Sequence, residues 1–283
     1  LRRLLHTEAA DIFMYATNGH GAWEGVIVNI IAPGQSVLVP GTGHFSDSWA
    51  QQTEAMGGQV IRTPWVEGEP IDAAAVEAVL RGDREHRIAA VFTVHTDTAS
   101  GVTSDMAAIR RALDAAGHPA LFVIDVVASL GATAVHMDAL GADVVLGASQ
   151  KGLMCPPGIG FVAANARAMA VCEANPMPRF YWDWRTRKSP FSYRKFCGTP
   201  PQTLLFGLEA ALGLIFHEGE EQVLRIAEVE RAGLDRGQPL RRQLPGRQPE
   251  GVVEETVGRP VERPQGQLGR PRVGDVGQGA DRF

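Results

Sequence analysis

The sequence predicts an α/β domain built on a mostly parallel sheet, and three features carry that expectation. Short apolar runs recur through residues 36–165. Segments with apolar residues at helical spacing separate them. Glycine or proline closes most of these segments. Strands that read as near-continuous apolar runs are buried on both faces, the pattern of a parallel sheet covered by helices on each side.

The elements follow in order. "GAWEGVIVNII" (21–31) predicts a helix after a glycine-containing turn. "SVLVPG" (36–41) is a β-rich run ended by Pro and Gly. "FSDSWAQQTEAMGG" (45–58) predicts a helix with Gly at its stop. "QVIRTPW" (59–65) reads as a strand, and "IDAAAVEAVLRG" (71–82) as a helix with Asp72 near its start. "IAAVFTVHT" (88–96) is a strand and "DMAAIRRALDAAG" (105–117) a helix. "ALFVIDVVAS" (120–129), "ADVVLGASQ" (142–150) and "GIGFVAAN" (158–165) are three further strands. The expected organisation is a large domain over 1–220, the start of a linker helix over 221–235 and a tail over 236–283. Gly, Pro, Arg and Gln dominate the tail, and no helical or strand period survives there. Such a composition buries too little apolar surface to offset the entropy of ordering. A second reading of the same mixture is out-of-frame translation of a GC-rich gene.

Composition removes several function classes. The 283 residues carry a net charge of −5 and a pI near 5.9, so no basic stripe is available for nucleic acid. No apolar run is long enough to span a bilayer, and no signal peptide is visible. Leu1 is not a start methionine, which leaves the true N-terminus and any targeting open. The cysteines, Cys155, Cys172 and Cys197, are odd in number and unpaired by spacing. They suggest neither a disulfide framework nor a metal site, and a reducing cytoplasm fits them best.

In parallel sheets ligands bind at the carboxyl ends of the strands. The polar residues expected there are Asn18–Gly19–His20, Thr96–Asp97–Thr98, Asp125 and Gln150–Lys151. The chain has three lysines, and Lys151 sits among small and apolar neighbours in "VLGASQKGLMCPPGIGF". Asp125 lies inside "LFVIDVVASL", and an unpaired buried carboxylate is expensive. It either caps the following turn, pairs with a distant Arg, or keeps a heterocyclic nitrogen protonated. Lys151 follows 26 residues later, one helix-and-strand repeat, so both residues emerge on one sheet edge. Alone, Lys151 is an ordinary strand-end lysine. In a desolvated pocket its pKa falls and it becomes a nucleophile toward an aldehyde. A lysine for a Schiff base and an acid for a pyridinium nitrogen are together what pyridoxal 5′-phosphate requires. "YATNGHGAWEG" either caps a helix or offers its N–H groups to a phosphate. Thr96 and Thr98 are turn residues or contacts to a cofactor ring. Phe45 or Trp49, in "GTGHFSDSW", stacks on a planar ring or packs in the core.

"TNGHGAWEG", "HTDTASGV", "VIDVVASLGA" and "GASQKGLMCPPGIGF" occur in the order and spacing of the class V pyridoxal-phosphate-dependent aminotransferases of fold type I. The chain resembles most the alanine–glyoxylate and serine–glyoxylate aminotransferases, over residues 1–220. The last motif is highly specific, the first two only in combination. The resemblance implies that Lys151 bonds the cofactor aldehyde and shuttles the substrate proton. It implies that Asp125 pairs with the ring nitrogen and that Val127 packs under the ring. Gln150, Asn18, Gly19 and His20 would hold the phosphate, Thr98 the phenolic oxygen, and Phe45, or Trp49, would stack on the ring. "KFCGTPPQT" resembles the segment that crosses to a neighbouring subunit of a homodimer, where Thr199 would touch the partner's phosphate. Relatives commonly have an aromatic before that threonine, and here Phe196 would lack a tyrosine's hydroxyl.

The resemblance further implies a segment upstream of Leu1 and a small C-terminal domain after residue 225, missing or degenerate in this sequence. That domain supplies an arginine for the substrate carboxylate. "VLRIAEV" (223–229) comes too early to be its context, and the tail arginines lack one. The expected reaction moves an amino group from alanine or serine to a 2-oxo acid such as glyoxylate or pyruvate. The alternatives are a pyridoxamine–pyruvate aminotransferase, a lyase or a desulfurase of the same fold, or an inactive remnant. No cysteine follows Cys197, which counts against a desulfurase.

Overall fold

A computed structural model of the chain describes residues 1–219 and 223. In chain order the elements are β1 (Asp11–Tyr15), α1 (Gly19–Ile30), β2 (Ser36–Pro40), α2 (His44–Ala55), β3 (Gln59–Thr63) and α3 (Ala73–Gly82). Then come β4 (Ile88–Val94), β5 (Thr96–Asp97), β6 (Val102–Thr103), α4 (Met106–Ala116), β7 (Leu121–Asp125), β8 (Val144–Ala148) and β9 (Gly160–Ala164). Four helices follow: α5 (Ala166–Ala174), α6 (Trp184–Arg187), α7 (Ser192–Lys195) and α8 (Gln202–Glu218). The expected linker segment 221–235, with "VLRIAEV" inside it, and the tail 236–283 lie outside the described residues apart from residue 223.

Seven strands form one sheet in the order β1-β9-β8-β7-β4-β2-β3. β9 runs antiparallel to both its neighbours, and every other pairing is parallel. The mostly parallel α/β sheet expected from the apolar runs is therefore present. β2, β7, β8 and β9 are buried at every position. Alternate side chains feed two cores. Val91, Phe122, Ile124, Val145 and Phe161 meet the α3–α4 side. Phe92, Val94, Val123, Leu146 and Val162 meet the side of α1 and α2. With neither face wetted, no period of two survives in the sequence.

The helix ends follow local chemistry. Asp72 accepts from the N–H groups of Ala74 (2.9 Å) and Ala75 (3.2 Å) at the start of α3. Asp105 does the same for Ala108 at 3.0 Å in α4, and Gly117, at φ 61°, stops that helix. Three differences from the expected elements bear on the site. α1 begins at Gly19, so His20 is already helical. The run 120–129 is a strand only to Asp125, where the chain turns. β1 was not expected, because "DIFMY" opens on an acid and shows no regular alternation; its partner β9 lies nearly 150 residues away.

Candidate active site

A cavity of about 220 Å³ opens at the carboxyl end of the sheet. It is reached by the ends of β4, β7 and β8, the start of α1 and the start of α2. Nine of the ten residues expected from the sequence line it: Asn18, Gly19, His20, Phe45, Thr98, Asp125, Val127, Gln150 and Lys151. Thr199, the tenth, is exposed in the segment before α8 and does not line it. Phe196 lines a separate cavity with Asp11 and Lys188, and Gly198 directly precedes Thr199.

Asp125 ends β7 and is 4% exposed. Its Oδ1 accepts the Val127 N–H at 2.6 Å, and its Oδ2 accepts the Trp23 indole N–H at 2.6 Å. It thus caps its own turn, as one of the readings expected, and no arginine pairs with it among the described residues. Burial pushes its pKa up to about 6; the two hydrogen bonds and the Lys151 charge oppose this, and the Asp97 charge adds to it.

Lys151 corrects one expectation. It lines the cavity but is exposed, not desolvated. β8 stops at Ala148, and the turn after it carries the lysine out of the sheet. That turn is well braced. The Ser149 hydroxyl donates to Pro156 O at 2.7 Å, and the Met154 N–H donates to Lys151 O at 2.9 Å. Gly152 then packs on the turn after β7. A Cβ there would lie 2.4 Å from Leu130 O, so only glycine fits.

The start of α1 supplies donors. Asn18 accepts from Gly21 N–H with its side chain (3.2 Å) and from Ala22 N–H with its carbonyl (3.1 Å). The N–H groups of Gly19 and His20 stand in this first turn, where a helix offers them no partner of its own, at the positive end of the helix dipole. Gly19 is pressed onto Val127; a Cβ on it would lie 3.0 Å from Val127 Cγ2. Burial, then the His44 charge, lowers the His20 pKa, which favours a neutral ring. Across the cavity the Gln150 Oε1 is buried without a partner among the described residues.

The two candidate stacking aromatics differ in position. Phe45 lines the cavity, whereas Trp49 is fully buried between Trp23 (5.4 Å) and Phe92 (4.5 Å). Two residues with a part in the site had no assigned role in the sequence. Asp97 is fully buried and accepts the N–H groups of Phe45 (2.8 Å) and Ser46 (3.4 Å), so it holds the start of α2. Trp23 reaches Asp125 across 102 residues. Its position in an apolar helix reads as core, and no local signal separates the two uses.

A lysine, a buried carboxylate, an orphaned amide oxygen and unspent helix N–H groups around one small cavity fit an aldehyde-bearing pyridine with a phosphate. Among the described residues no cluster of His, Cys, Asp or Glu is arranged for a metal.

The sheet order and the placement of the cavity define a pyridoxal-phosphate-type transferase domain of fold type I. Solved structures agree. The ureidoglycine–glyoxylate aminotransferase of Bacillus subtilis matches 80% of this chain and 58% of its own, at TM-score 0.71 and 27% identity. The alanine–glyoxylate aminotransferase of a Nostoc species matches 80% and 59%, at TM-score 0.70 and 28% identity. The aminotransferase class-V family model matches residues 1–238, and the chain belongs to that family. It is 39% identical over 241 residues to the L-aspartate–glyoxylate aminotransferase of Paracoccus denitrificans, covering 83% of this chain and 60% of that one. It is 36% identical over 227 residues to the serine–glyoxylate aminotransferase of Methylorubrum extorquens, covering 78% and 56%. The chain thus spans less than two thirds of the length of these relatives.

Proposed function

We propose that this protein is a pyridoxal-phosphate-dependent transaminase that moves an amino group from a small amino acid, alanine or serine, to a 2-oxo acid such as glyoxylate or pyruvate. The shared cavity of Lys151 and Asp125, at the ends of adjacent strands, carries this reading. The glyoxylate aminotransferases to which the chain is similar support it.

Pyridoxal 5′-phosphate, when bound, supplies the aldehyde that exchanges amino groups and a ring that delocalises the electrons left by loss of the substrate α-proton. The chain's own residues do the rest. Lys151 Nζ would take the proton from the substrate Cα and return it to the carbon on the far side of the transferred nitrogen. Asp125 would hold the proton on the ring nitrogen. Gln150, Asn18 and the N–H groups of Gly19 and His20 would hold the phosphate. Thr98 would donate to the phenolic oxygen, and Phe45 and Val127 would clamp the two ring faces. The finer reading is a cytoplasmic homodimer in which Thr199 reaches the partner's phosphate. Three free cysteines and the exposed Phe191 and Tyr193 a few residues before Thr199 support it. No described helix is long and apolar enough to cross a membrane.

The test is turnover. With the cofactor, alanine, serine or aspartate is offered with glyoxylate, and glycine is measured. Glycine formed by the parent and lost in Lys151→Ala supports the reading; no glycine with any donor contradicts it.

A further inference from the structure

Asp125 is the sole carboxylate among the residues lining the cavity. Its Oδ1 is used by the turn it caps, and its Oδ2 is held from a different element, by the indole of Trp23. That indole is 2% exposed and cannot swing. It lies nearly parallel to Trp49 (9°, 5.4 Å), which lies nearly parallel to Phe92 of β4 (12°, 4.5 Å). It also meets the His20 ring, at 4.4 Å. The row of rings fixes the indole N–H at one point, within the same helix whose first turn lines the cavity. Trp49 is a useful contrast: it shares the stack, but its own N–H has no partner among the described residues.

We propose that Trp23 is a positioning residue: its indole N–H aims the Asp125 carboxylate and favours its ionised form, so that the carboxylate meets a protonated ring nitrogen. The proposal rests on the reading that this nitrogen belongs to the cofactor and meets Asp125. The physical argument needs no cofactor. Hydrogen bonds donated to the charged form of an acid lower its pKa, and burial raises it. Asp125 is buried enough for the second effect to dominate, and Trp23 supplies the one side-chain hydrogen bond against it. The other groups that face it are Asp97 after β4, which raises its pKa, and Lys151 after β8, which lowers it. The nearby rings are His20, against Trp23, and His95, which is bonded to Ser129.

The experiment is a titration of Asp125 in the full cofactor-free chain. It follows the carboxyl infrared band assigned by subtraction of Asp125→Asn. Trp23→Phe keeps an aromatic ring and removes the N–H. Incorporation of 3-benzothienylalanine at position 23 removes it with the ring size unchanged, which covers a failure of Trp23→Phe to fold. Loss of one charge-assisted hydrogen bond predicts a midpoint raised by about one pH unit from the parent value near 6. Trp49→Phe should leave it unmoved. Equal midpoints in the parent and the two position-23 variants overturn the proposal, as does an equal shift in Trp49→Phe. On the reconstituted enzyme, the acidic limb of the pH profile of kcat should move upward with the same midpoint. A parent that never forms a covalent bond to the cofactor refutes the functional reading instead, and the cofactor-free titration still decides the role of Trp23.

Discussion

Asp125 is a charge placed where its burial works against the stability of the fold. Its folded pKa near 6 lies above the ordinary aspartate value of 3.8, so between those pH values the folded chain binds more protons than the unfolded one. The contribution of Asp125 to the stability of the cofactor-free protein therefore falls as pH rises from about 4 to about 6, by roughly 3 kcal/mol, and is level above that. Asp125→Asn should abolish this slope, which denaturant unfolding across that range would reveal. A slope that persists in the variant would assign it to other groups. Asp125 and Lys151 were legible in the sequence because charges inside apolar runs are costly and so mark themselves. The roles of Trp23 and Asp97 were not. Their partners stand 102 and 52 residues away, and neither a tryptophan in an apolar helix nor an acid at a strand end shows locally what it will meet. The exposure of Lys151 was equally hidden, because an apolar neighbourhood in sequence does not state where the strand ends and the turn begins.

At the level of elements, two turns and two helix starts hold the site. The turn carrying Lys151 is packed on the turn after Asp125 through Gly152, whose Cβ would collide with the Leu130 carbonyl. Gly152→Ala must displace backbone. A loss of about 1–3 kcal/mol is expected, read as a lower denaturation midpoint, together with several-fold weaker cofactor binding. An unchanged midpoint would show that the two turns are not coupled. The start of α2 depends on Asp97, so Asp97→Ala leaves the Phe45 and Ser46 N–H groups unpaired. This should cost about 1–2 kcal/mol, and Phe45 should lose its place at the cavity wall. Circular dichroism of the bound cofactor would report that loss. Helices α3 and α4 were readable because Asp72, Asp105 and Gly117 act on their own neighbours in sequence. β1 and the helices after β9 were not, because what orders them is distant. The buried Asn29 of α1, for example, donates to Trp182 O and accepts from Arg179 and the Trp184 N–H.

At the scale of the whole molecule, the motifs in order and the parallel sheet were legible because a fold type I site is assembled from consecutive strand ends. A role for Thr199 is implied only by the resemblance, since within one chain it is exposed and outside the cavity. If it serves a neighbouring subunit, light scattering should return twice the chain mass, and Thr199→Ala should weaken cofactor binding several-fold without changing that mass. A monomer that binds the cofactor as tightly as Thr199→Ala does would refute the shared site. The central claim is narrower: Lys151 takes an aldehyde in the cavity it shares with Asp125. The most direct measurement is the absorbance spectrum of the chain with pyridoxal 5′-phosphate, before and after borohydride, followed by peptide mass mapping, with Lys151→Ala as control. The account predicts a band near the visible edge that reduction converts into a stable adduct on Lys151 alone and that the control lacks. A folded chain with no adduct, or with the adduct on Lys188 or Lys195, would contradict it.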